Sequence, residues 1–156
     1  PAEAHALSCT GSDNHTMGYH DLAIPLRFLA LLGHFFAVLI ALSAMRDNVM
    51  VSLPFSYTES ALNSRLESAR ASMIVAFCCI AVNAVGFFGG FSTFDIAMSL
   101  FHIVAHALGS ILFSLVVINK AHYLYLWYIV IFFSVPQLLC ELYGFGSVLL
   151  LGKRRW

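Results

Sequence analysis

Charge is what this sequence has least of. Only 10% of its 156 residues are Asp, Glu, Lys or Arg, against about 25% in an ordinary soluble domain. Acidic and basic residues number eight each, so the formal net charge is zero and no basic field is present to attract a nucleic acid. Cysteine is sparse too: Cys78, Cys79 and Cys140 sit in apolar segments and Cys9 in a polar one. Their spacing matches neither a zinc site nor a disulfide framework. No Gly-rich phosphate loop, nucleophile elbow or acid pair stands outside the apolar runs. Outside those runs nothing points to a catalytic residue, a cofactor, a metal or a small-molecule substrate.

What is present is apolar. Hydrophobic residues make up 60% of the chain, and the mean hydropathy is +0.85. Charge-free runs cover 28–45, 71–94 and 96–119, and a fourth begins at 121 and continues past Glu141 to 152. Each reaches the roughly 17–25 residues that a membrane-spanning helix needs. The expected fold is an all-α integral membrane protein, an up-down bundle of four antiparallel helices at about 26–45, 71–93, 96–119 and 126–151. Residues 26–152 then form the membrane domain. Residues 1–25 make a polar tail, expected to be poorly ordered and without the apolar core of a cleavable signal peptide.

The one sizeable connection is 46–70. Its first part, with Pro54, reads as extended or turn-like. In 58–70, Ala61, Leu62, Leu66 and Ala69 fall near helical spacing, which fits either a helix lying on the bilayer or a solvated extension of the second span. An even number of spans puts both termini on one side, but the flanking Lys and Arg divide equally between the two sides. The cluster Lys153, Arg154 and Arg155 anchors the end of span four and favours cytosolic termini. The sequon at Asn14 would then carry no glycan.

The last span opens on Tyr123, Tyr125, Trp127 and Tyr128 and ends at that basic cluster, the aromatic and cationic borders of a membrane helix. Pro136 should kink it and free a carbonyl near Phe132. Two pairs of small residues, Gly86 with Gly90 and Ala105 with Gly109, provide faces for close helix packing, within the chain or against another membrane protein.

Four ionisable residues lie inside the spans, where they normally face the bundle interior and pair. Counted from the charged ends on the termini side, His34 and His102 lie about 10 Å deep, His106 about 16 Å and Glu141 about 18 Å. The expected pair is therefore His106 with Glu141, and His34 with His102 forms a secondary layer. Such a pair would set helix register. Two other chemistries use the same residues. One is a proton or solute path through His106 and Glu141; the other is a metal held by His102 and His106 at i, i+4 with Glu141 as third ligand.

The joint order of Arg27-Phe28-Leu29 and His34, Leu53-Pro54, Phe94, Ser99-Leu100, Ala105-His106, Trp127-Tyr128-Ile129 and Glu141 resembles the family of transmembrane protein 107. The likeness runs from Met17 to the short basic tail; His102 has no counterpart in it. The resemblance implies a non-enzymatic four-span scaffold of the ciliary transition zone, with cytosolic termini. It implies as partners the membrane lipids and the Meckel–Joubert (tectonic) membrane proteins, with which such proteins gate entry into the cilium and support its assembly. The alternative is a tetraspan adaptor of other internal membranes.

Overall fold

The computed structural model describes the backbone over residues 2–90 and 95–151, and side chains over 22–90 and 95–147. Lys153, Arg154 and Arg155 lie outside the described residues. All regular structure described is helical: α1 (Ala2–Ser43), α2 (Met45–Val51), α3 (Glu59–Phe88), α4 (Ile96–Ile118), α5 (Leu124–Ile129), a π-helical turn (Val130–Ser134) and α6 (Val135–Leu151). Four stretches are long and apolar enough to cross a bilayer: Leu22–Ser43, Glu59–Phe88, Ile96–Ile118 and Leu124–Ser147. The protein is a four-helix membrane bundle.

Residue chemistry explains most of the boundaries. Asp95 caps α4 by accepting from the N–H groups of Ala97 and Met98 at 3.0 and 3.2 Å, satisfying donors that the first turn leaves free. Thr58 does the same for α3 through Ala61. After α3, Gly90 takes φ 72°, a left-handed conformation that glycine adopts without steric cost. Between α1 and α2 the helical ladder survives, since Ala44 N–H donates to Ile40 and Asn48 N–H to Ala44. The bend there coincides with the Ser43 hydroxyl, which donates to the Ile40 carbonyl at 2.7 Å, a back-bond that bends helices.

Several boundaries differ from expectation. The first helix ends at Ser43 and a second begins at Met45, while the backbone of α1 reaches back through the stretch expected to be a poorly ordered tail. Residues 58–70 form no separate surface helix. They are the solvated first part of α3, whose buried Leu62 and Ala69 continue in line with Met73, Ala76, Ile80 and Asn83. No proline interrupts the helix, and its one glycine, Gly86, lies in its last turn. At 1.5 Å per residue its 30 residues make a helix about 45 Å long, well beyond a hydrocarbon core of about 30 Å.

Packing follows a heptad alternation of three and four residues. Arg27, Leu31, His34, Val38, Ala41, Met45 and Asn48 are buried on α1 and α2, and Ser99, His102, His106, Gly109, Phe113 and Val116 on α4. These two helices share the largest helix contact. They run parallel, because Arg27–Ser99 and His34–His106 are both separated by 72 residues. A 3.5-residue repeat keeps one seam facing its partner.

Span four breaks the rhythm once. Its buried positions Leu126, Val130 and Ser134 are spaced four and four, and Gln137 and Glu141 then resume three and four. The π turn supplies the extra residue, with Val135 N–H donating to the carbonyl of Val130. Pro136 follows immediately. Its ring lacks an N–H and would press on the Phe132 carbonyl in a regular helix, and the wider turn relieves both effects. The distortion expected from Pro136 takes this form.

Candidate functional site

The apolar bundle encloses a polar cluster toward the side of the termini. Arg27 and Glu141 are each 2% exposed, and Arg27 Nη2 forms an ion pair with Glu141 Oε1. Arg27 Nη1 also donates to the Ser99 hydroxyl at 3.4 Å, and its guanidinium carbon stands 5.7 Å from the centre of the Phe87 ring. The His102 imidazole brings Nε2 to 3.3 Å from the same Glu141 oxygen. All four spans meet here, with Gly86 of α3 completing the layer. A Cβ at Gly86 would overlap the Glu141 carboxylate. The absent side chain is therefore the space that the acid occupies.

One layer deeper, His34 Nδ1 lies 3.3 Å from the His106 carbonyl oxygen. The His34 ring packs edge-on to His106 at 5.2 Å and to Phe113 at 5.6 Å. Gly109 makes room for it, since a Cβ there would stand 2.5 Å from His34 Cε1. Between α3 and α6, the Asn83 amide donates to Gln137 Oε1 at 3.4 Å. The outer end is clasped by side chains as well. Arg65 donates to the Tyr123 hydroxyl and Trp127 Nε1 to Ser68 Oγ, and Tyr123 N–H donates to Ser52 Oγ.

The expected pairing is corrected. Glu141 faces Arg27 and His102, not His106, and His106 belongs with His34. Counting Glu141 inward from Lys153 overstated its depth, because α6 runs on to Leu151, past the level at which α4 begins. Counted from Asp95, His102 is seven residues in, and Glu141 shares its level. The glycine pair also divides: Gly86 packs against Glu141, whereas Gly90 ends the helix. Ala105 is buried at 7% exposure, beside His106.

Arg27 was the functional residue that sequence reading missed. Arg27 immediately precedes the charge-free run 28–45 and so reads as its border, but the apolar residues Leu22, Ala23, Ile24 and Leu26 before it already belong to the span. That hydrophobic lead-in was the available signal. The finished site is a neutral Arg–Glu pair tied to a serine and a histidine. Leaving either charge alone in the interior would cost about 3–5 kcal/mol, while the intact pair adds little net stability over apolar packing. Its chemistry suits fixing which spans adjoin and in what register. Among the described residues, no group of three or more His, Cys, Asp or Glu side chains converges to hold a metal.

Fold and site together define a tetraspan helical membrane protein with an internal ion pair. The family model described as "Transmembrane protein", TMEM107, matches residues 23–145, a stretch that contains every member of the polar cluster. The chain belongs to the transmembrane protein 107 family. It is 29% identical to Transmembrane protein 107 of Homo sapiens over 138 residues, covering 88% of this chain and 99% of that one. The Mus musculus protein gives the same identity and coverage. The Xenopus laevis protein is 27% identical over 125 residues, covering 80% and 89%. No solved structure matches. The family is not one of known enzymes.

Proposed function

We propose that the protein is a non-enzymatic scaffold of the ciliary transition zone, which helps assemble the Meckel–Joubert (tectonic) membrane complex and so gates the membrane proteins that enter the cilium. The observation that carries this reading is the family match over 23–145. The site is compatible with it: the buried charges are spent on each other, as befits a rigid element presenting fixed helix faces to neighbours. Its partners are membrane lipids and other transition-zone membrane proteins, reached through the lipid-facing helix surfaces and the outer end of α3. Both termini face the cytosol.

The test is the position of a tagged protein in ciliated cells, imaged with a marker of the ciliary base. A ring at the base supports the proposal, as does loss of tectonic-complex proteins from that ring when the chain is depleted. Label confined to the endoplasmic reticulum overturns it and favours a tetraspan adaptor of internal membranes. Orientation has its own readout. A glycan on Asn14, removable by endoglycosidase, would place the N-terminus on the lumenal side.

A further inference from the structure

A cleft of about 590 Å³ lies along the lipid-facing seam between α4 and the opening of span four. It falls in the range of about 300–1,000 Å³ typical of small-ligand sites. One wall is aliphatic, with Leu112 and Leu115 of α4; the other is aromatic, with Tyr125, Tyr128 and Phe132. Tyr125 and Tyr128 pack on each other at 6.3 Å between ring centres, which makes that wall continuous. Phe132 of that wall belongs to the π turn. The cleft's polar groups are the Asn119 amide, where α4 ends, and the Tyr125 and Tyr128 hydroxyls. From Leu112 to Asn119 the helix rises about 11 Å.

We propose that this cleft binds a sterol from the leaflet opposite the termini, with its ring system between the two walls and its hydroxyl against Asn119. Shape and polarity select this occupant. A largely apolar slot with few polar groups, the Asn119 amide at the end of α4 among them, matches an apolar body with one hydroxyl. Exposed aromatic and branched aliphatic walls reward a rigid plate, which loses almost no internal freedom on binding. A flexible acyl chain must be ordered bond by bond. None of this depends on the cilium.

The full chain, reconstituted in nanodiscs with a diazirine analogue of cholesterol, is photolysed and the labelled peptides are mapped. Labelling should concentrate in 112–133 and be competed by cholesterol but not by its 3α-hydroxyl epimer. Leu115→Trp, which fills a position 45% exposed, should cut labelling about tenfold, equivalent to about 1.4 kcal/mol. Asn119→Leu removes one hydrogen bond and should cut it about fivefold. Unchanged helical circular dichroism shows that both variants are folded. Label spread evenly over the lipid-facing surface, equal competition by the epimer, or equal labelling by a diazirine phosphatidylcholine would each overturn the proposal. So would crosslinking of a partner's membrane helix in this cleft in place of the probe.

Discussion

Arg27 of the first span and Glu141 of the last form one buried ion pair across 114 residues of sequence. It closes the bundle, because it links the first helix to enter the membrane with the last. Each partner cancels the other's charge in the interior.

Removing one partner should therefore hurt far more than removing both. Arg27→Met or Glu141→Leu alone should destabilise the protein by about 3–5 kcal/mol, and the double variant should recover most of that loss. Thermal unfolding in a fixed detergent, run as a double-mutant cycle, measures the coupling. Additive single losses would contradict the pairing.

The histidines should separate by their neighbours. A cycle between His102→Ala and Glu141→Gln should show a coupling of about 0.5–2 kcal/mol, whereas His106→Ala with Glu141→Gln should be nearly additive. Strong coupling at His106 would restore the pairing that depth counting suggested.

Glycines in the spans should respond according to what their missing side chain faces. Gly86→Ala drives a methyl into the Glu141 carboxylate and should cost about 1–3 kcal/mol as overpacking. Gly33→Ala meets nothing within 4 Å and should be neutral or stabilise by up to about 1 kcal/mol through helix propensity. Only the Gly86→Ala unfolding curve should shift to lower temperature.

At the other end of the bundle, the clasp between α3 and span four is smaller in effect. Tyr123→Phe removes the acceptor of the Arg65 hydrogen bond and keeps the ring that stacks under the guanidinium at 5.6 Å. The loss should be about 0.5–1.5 kcal/mol. Faster amide exchange confined to 59–68 would be its local signature.

The spans could be read from the sequence because burial in lipid demands long apolar runs, and such runs carry no competing interpretation. The up-down order followed from short connections. The site was only half legible. Glu141 announced itself as an acid in mid-span, and His34, His102 and His106 as ionisable groups on inward faces. Their partners did not, because contact between helices depends on offsets that no single helix encodes. Counting depth from Lys153 in place of the level of Asp95 exchanged His102 for His106. Arg27 was hidden for a different reason: a charge near the start of a span looks like its border. The π turn was foreshadowed by Pro136, but its effect on the phase of Gln137 and Glu141 emerged only from their burial.

The position of Arg27 also has a consequence for biosynthesis. The first span must enter the bilayer while Glu141 is still untranslated, 114 residues downstream. At about 5–20 residues per second that leaves the guanidinium without its Glu141 counter-charge for several to some twenty seconds. A chain cut short before its fourth span never acquires that counter-charge. Truncated products would thus keep a net charge at a place where the finished protein cancels it, a difference that offers the cell's membrane quality control something to recognise.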